Sequence, residues 1–194
     1  MGQHVIVITG ASGAGKTTVA SYITETYGLP KVITHTTRPK RDGEIDGVDY
    51  YFETLETFNK NHFIEQVAFS GNHYGSSYEG LERAFEQSQN TKYPDYILLV
   101  VDTVGAITYF EELGNKAEVW FITTTDREEF KERLVQRGDD PKQVELRTSS
   151  SDFERDMILP EELSQKAQVI FNDKWEETTK SIDSLFNETI GRVK

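Results

Sequence analysis

Gly10-Ala11-Ser12-Gly13-Ala14-Gly15-Lys16-Thr17 places three glycines, a lysine and two hydroxyl residues between segments of opposite character. Upstream, Val5-Ile6-Val7-Ile8 is a β-branched run that reads as a buried strand. Downstream, Thr18 to Tyr27 carries no glycine or proline until Gly28-Leu29-Pro30, so a helix with a stop behind it is expected. The quoted residues therefore lie on a turn from strand to helix, with the spacing G-x-x-x-x-G-K-[ST]. Glycines let such a turn close tightly and aim successive N–H groups inward, while the helix N-terminus adds positive potential. That geometry cradles phosphates. Lys16 is expected to reach the β- and γ-phosphates of a nucleoside triphosphate, and the Thr17 hydroxyl to ligate Mg²⁺. Gly10, Ala11, Ser12, Gly13, Ala14 and Gly15 form the wrap itself, with Thr18 beside it on the helix. A glycine-rich turn matching by chance is the bland alternative, and both flanks speak against it.

Composition narrows the class. A chain of 194 residues suits one domain with a small insertion. No apolar run approaches the roughly 20 residues of a membrane span, and no signal segment opens the chain, so a cytoplasmic protein is expected. Cysteine is absent, which excludes disulfides, a thiolate nucleophile and a cysteine zinc site. Acidic residues number 33 against 21 basic ones, and the formal net charge of −12 speaks against nucleic acid or an anionic membrane as partner. An anionic ligand then requires a local arginine cluster, because screening over about 8 Å makes nearby charge outweigh the total.

Further along, Lys31-Val32-Ile33-Thr34 reads as a second strand that runs into a polar, turn-rich stretch ending at Glu44. Short aromatic segments follow (Val48 to Phe52, a brief helix at Leu55 to Asn59, then Phe63 to Phe69), the pattern of a small β-rich insertion. A helix is expected from Tyr78 to Gln89. Tyr96 to Val101 is continuously apolar, as in a central parallel strand covered on both faces, and ends at Asp102. Ala117 to Ile122 reads as a strand, and Thr125 with Glu128 as a capping box. After the breaker Arg137-Gly138-Asp139-Asp140-Pro141, a polar helical stretch to Lys166 is expected to be exposed and mobile. Ala167 to Phe171 reads as the last strand, and Trp175, Thr178, Ile182, Leu185, Phe186 and Ile190 share one face of a final helix. The alternation predicts an α/β fold, a three-layer parallel sheet with ligands at the C-terminal ends of its strands.

Several separated blocks carry a resemblance. Thr37-Arg38-Pro39-Lys40-Arg41-Asp42-Gly43-Glu44, Gly47-Val48-Asp49-Tyr50-Tyr51-Phe52, Phe63-Ile64-Glu65 and Ser70-Gly71-Asn72-His73-Tyr74-Gly75-Ser76-Ser77 follow the glycine turn in the order and spacing of the guanylate kinase family. The chain resembles that family nearly throughout, to Ile170-Phe171-Asn172-Asp173. The resemblance implies ATP-dependent phosphorylation of GMP with Mg²⁺, on a P-loop kinase core with a β-rich monophosphate-binding insertion and a helical lid. On this reading 1–194 is a single domain, with its core at 1–33, 78–136 and 167–194, the GMP-binding insertion at about 34–77 and the lid at about 137–166.

By resemblance, Arg38, Arg41, Tyr50 and Tyr74 hold the GMP phosphate, which suits forked guanidinium groups and phenolic donors. Glu65, Ser76 and Asp102 correspond to the base-reading residues, with Thr34 near the base. Guanine presents adjacent N1–H and N2–H₂ donors, so a carboxylate and a hydroxyl complement it. Asp102 also fits the outer surroundings of Mg²⁺, and both roles stay open. Glu44 is expected to orient Arg41 through an ion pair. Arg133, Arg137 and Arg147 match arginines that reach over the phosphates when a lid shuts, and so join Lys16, Arg38 and Arg41 as the catalytic set. Asn172 matches an adenine contact, an N-cap for the next helix being the alternative. The acceptor is a phosphate oxygen, already ionised, so no general base is required. Accordingly His4, His35, His62 and His73 show no ligand spacing. Departures are Val100 in place of an acid, Tyr78 in place of lysine, Gln66 in place of an aromatic and Leu146 in place of an arginine. Two rival readings are a P-loop kinase acting on a sugar phosphate and a non-catalytic guanylate-kinase-like interaction module. The sequence leaves oligomeric state and tolerance of dGMP undetermined.

Overall fold

Alternate residues of the first strand feed opposite faces of one sheet. In a computed structural model that describes residues 2–191, β1 (His4–Thr9) buries Ile6 and Ile8 in one cluster and Val5 and Val7 in another. This is the period of two expected of a strand covered on both sides. β1 pairs in parallel with β6 (Tyr96–Val100) and β7 (Ala117–Thr123), and β7 with β8 (Gln168–Phe171), giving the order β6-β1-β7-β8. Helix α1 (Lys16–Tyr27) and the last helix, α8 (Trp175–Gly191), contribute Ile23, Ile182 and Phe186 to the Ile6–Ile8 side. On the other side, α3 (Tyr78–Ser88) and α4 (Thr103–Leu113) pack Ala84, Phe85, Ala106 and Tyr109 against Val7 and Leu99.

A second sheet carries the order β3-β2-β5-β4. Its members are β2 (His35–Thr36), β3 (Tyr51–Phe52), β4 (Phe63–Phe69) and β5 (Asn72–Ser77), and α2 (Leu55–Phe58) lies between β3 and β4. The β4–β5 hairpin closes over Ser70 and Gly71, both at positive φ (49° and 75°), as a two-residue turn that matches strand twist requires. Its register sets Glu65 opposite Ser76. β5 runs directly into α3, where Ser77 accepts a hydrogen bond from the Gly80 amide as the cap.

Several expectations need correction. Lys31 to Thr34 forms no strand. The Val32 amide bonds to Leu98 in the large sheet, while the Thr34 carbonyl accepts from Tyr51 in the small one, so neither ladder holds the segment for long. Of Val48 to Phe52 only Tyr51–Phe52 is strand, and Val48 is exposed. Asp126, not Thr125, caps α5 (Arg127–Gln136), because Thr125 is bonded to Asp173 instead. The stretch to Lys166 is not wholly exposed. Its helices α6 (Pro141–Thr148) and α7 (Ser151–Met157) bury Val144 and Phe153, Leu163 is buried beyond them, and Phe153 meets Phe130 edge-to-face. One apolar residue per short helix suffices to anchor it, and that is too sparse a pattern to register as periodic. On α8, Trp175 is 41% exposed and contributes only an edge contact to Tyr22. Among the described residues no helix is long and apolar enough to cross a membrane.

Candidate active site

The loop from β1 to α1 is forced into its shape by close backbone contacts. Gly10 (φ 130°) lies so near β7 that a Cβ there would stand 2.1 Å from the Ile122 carbonyl oxygen. A Cβ on Gly13 (φ 91°) would stand 2.7 Å from that of Phe130. Side chains are excluded at both places, which is why the turn must be glycine. Lys16 curls back over this loop, donating to the carbonyls of Gly10 (2.6 Å) and Ala11 (2.9 Å). Burial lowers its pKa to about 8. Thr17 and Thr18 are exposed at the start of α1.

The loop forms one wall of a cleft of about 1160 Å³, whose lining includes Thr34, Arg38, Arg41, Glu44, Tyr50, Glu65, Tyr74, Asp102, Arg133, Arg137, Arg147 and Asn172. Ser76 is fully buried and bonded to Glu65. The residues singled out from sequence thus converge on one space, though several have other partners than foreseen.

Glu44 grips Arg38. Its two oxygens accept from Arg38 at 2.7 and 3.0 Å, a forked pair, while the Arg41 guanidinium is 3.7 Å away and only the Arg41 amide bonds to Glu44, at 2.7 Å. The expected Arg41–Glu44 ion pair is thus present at the longer distance, while the forked hydrogen bonds of Glu44 go to Arg38. The Arg38 group also lies over the rings of Tyr50 and Phe52, at 5.5 and 5.6 Å. Burial would raise the pKa of Glu44, but its hydrogen bonds from Arg38 and the Arg41 amide hold it below the usual range.

On the insertion wall, Ser76 donates to Glu65 (2.8 Å) and lies 2.8 Å from the Tyr109 hydroxyl. Ser76 has one proton and spends it on Glu65, so Tyr109 is the donor to Ser76. Burial, with Asp102 nearby, raises the Glu65 carboxyl to about 7 even against the Ser76 hydrogen bond. Gly105 of α4 leaves room for this carboxylate, since a Cβ there would stand 3.1 Å from Glu65 Oε2. Asp102 caps α4 through the Gly105 amide (2.7 Å) and accepts from Arg155 at 3.2 Å. Burial raises its pKa, with the cap opposing.

Arg133 reaches the Asn172 carbonyl at 2.6 Å and pairs with Glu129. The Asn172 carboxamide donates to Ala14 of the loop (2.9 Å) and accepts from Thr178 (3.2 Å), and α8 starts only at Trp175, so the N-cap alternative falls. Arg41, Arg137 and Arg147 converge on the carboxylate of Asp139. Asp139, Tyr109 and Arg155 are the contacts that sequence reading missed. No motif singles out Tyr109, and nothing local tells Asp139 from its neighbour Asp140, which caps α6.

The guanylate kinase family model matches residues 2–189. A guanylate kinase of Alkalilimnicola ehrlichii is 30% identical, covering 97% of this chain and 90% of its own. That of Thermus thermophilus is 35% identical over 79% of this chain and 69% of its own. The crystal structure of guanylate kinase from Anaplasma phagocytophilum superposes with a TM-score of 0.62 at 25% identity, over 96% of this chain and 85% of that one. The match takes in the glycine loop, the small sheet and the arginine-bearing helices alike: the chain belongs to the guanylate kinase family.

Proposed function

We propose that this protein transfers the γ-phosphoryl group of ATP to GMP, giving ADP and GDP. The observation that carries the reading is the buried Glu65–Ser76 pair in the same cleft as the Lys16 loop. A carboxylate accepts from the N1–H and N2–H₂ of guanine, whereas adenine offers no such donors on that edge and would leave the buried carboxylate unpaired. The small sheet, 34–77, serves as the GMP-binding insertion and 137–166 as the lid. Arg38, held by Glu44, and Arg41 take the GMP phosphate together with Tyr50 and Tyr74. Thr34 borders the base, and Asp102 borders either the base or the metal's water shell. The residues Gly10 to Thr18 wrap the ATP phosphates, with Asn172 towards the adenine.

The acceptor oxygen is already anionic, so these groups act by position and charge and no proton is abstracted. Lys16 swings from the loop carbonyls onto the β- and γ-phosphates. Arg133, Arg137 and Arg147 spread over the transferred group and displace water from it. No group of three or more His, Asp or Glu side chains suited to a metal occurs among the described residues. The exposed Thr17 hydroxyl therefore fits Mg²⁺ held chiefly by phosphate oxygens and water, as this ion prefers. When bound, Mg²⁺ neutralises charge on the phosphates. Such chemistry needs both nucleotide pools, and the cytoplasm is the compartment proposed.

ADP release with Mg-ATP is to be measured across GMP, AMP, CMP, UMP and ribose phosphates. GMP should give the largest rate; equal rates across that series would overturn the assignment.

A further inference from the structure

Arg41, Arg137 and Arg147 come from three places: the turn before Glu44, the end of α5 and the helix α6. All three meet one carboxylate. Asp139 Oδ2 accepts from Arg137 and, at 3.1 Å, from Arg147, and Oδ1 stands 3.4 Å from Arg41 Nε. The Asp139 side chain is only 10% exposed, and burial alone would raise its pKa, yet Arg137 above all holds it below the usual carboxylate range. Arg147 keeps in addition a buried Nε–H without a partner among the described residues, a donor still available to an anion. A local turn stabiliser would need only Arg137, two residues before it. Instead the contact reaches across the cleft to the small sheet.

We propose that Asp139 is a resident substitute for the transferred phosphoryl group: it fastens the 137–166 segment to the insertion while the nucleotides are away, and surrenders its three guanidinium groups to their phosphates. This rests on the proposed function only in assigning those arginines to phosphate. A carboxylate and a phosphate offer the same guanidinium fork paired oxygens, and the dianion carries twice the charge. Substrate therefore wins the exchange, but binds less tightly than to an unencumbered cluster. The carboxylate also offsets the mutual repulsion of the three like charges it brings together.

The absence of cysteine in the chain makes the test clean. Asp139→Asn and Asp139→Ala are compared with the parent for affinity towards GMP and inorganic pyrophosphate by calorimetry. Fluorophores on Val48→Cys and Leu146→Cys, both exposed positions, report the separation across the cleft. Both Asp139 variants should bind the two anions about 3- to 10-fold more tightly, and without ligand should show a longer, broader label separation that pyrophosphate shortens again. Glu145→Gln, on α6 and ion-paired among the described residues with Lys131 alone, removes the same charge and should change neither readout. Unchanged or weaker anion binding in both Asp139 variants would overturn the substitution, and an unchanged separation would overturn the fastening. A parent protein that fails to phosphorylate GMP would refute the proposed function while leaving the pyrophosphate and distance readouts to decide the inference.

Discussion

On the proposed function Glu65 accepts from guanine only when ionised, and burial raises its carboxyl to about 7. The sign follows directly: below that value the acid form prevails and the acceptor is lost, so GMP affinity should climb as pH rises through 7. GMP's own phosphate titrates nearby, and Glu65→Gln separates the two effects. That variant should lose the part of the pH dependence that belongs to Glu65, and should raise the GMP KM by about 10-fold or more, with the ATP KM unchanged. Equal losses for both nucleotides would assign Glu65 a structural part. Tyr109→Phe keeps the ring and removes the donor that fixes Ser76. Ser76 is then free to rotate away from Glu65, so the midpoint of the GMP pH profile should move higher at an unaltered ATP KM. Lys16→Ala should cut kcat by about 100-fold or more, since a preorganised cation at developing phosphate charge is worth at least that; full activity would refute a role for the loop amine.

Among the elements, those built from continuous patterns were legible. The β-branched β1 and the apolar β6 show as continuous runs and α1 as a stretch free of glycine and proline, and the glycine loop between β1 and α1 follows from its spacing. Lys31 to Thr34 was misread because its pairing is divided between two sheets, a tertiary fact that no local pattern carries. The 137–166 segment was misread for a related reason, since Val144, Phe153 and Leu163 are too widely spaced to show a face. The site showed the same limit. Arg38 and Glu65 were singled out by resemblance and Glu44 by its spacing from Arg41, but that the Glu44 fork goes to Arg38 depends on how the turn folds back. Phe153 supplies an element-scale test. Phe153→Ala removes the ring that meets Phe130 and should cost about 3–5 kcal/mol where the cavity cannot collapse, read as a lowered Tm. An unaltered Tm would show that the segment is not anchored there.

For the whole molecule, a formal charge of −12 coexists with a cleft crowded with arginines. Overall repulsion slows the approach of anionic nucleotides, and salt screens it, whereas the buried contacts inside are screened much less. The association rate for GMP should therefore rise with ionic strength at a nearly constant dissociation rate, measurable by stopped flow; a falling association rate would mean that the cleft's own field dominates.

The divided loyalty of the chain around Ile33 has one more implication. With the Val32 amide pinned to β6 and the Thr34 carbonyl pinned to β3, this crossing from the large sheet to the small one leaves a single residue of backbone between its two anchors. Any tilt of the smaller sheet must be absorbed in so short a span that it tugs on the strand neighbouring the glycine loop. On the proposed function, the arrival of one nucleotide should therefore alter the affinity at the other's seat, and linkage requires that effect to be reciprocal.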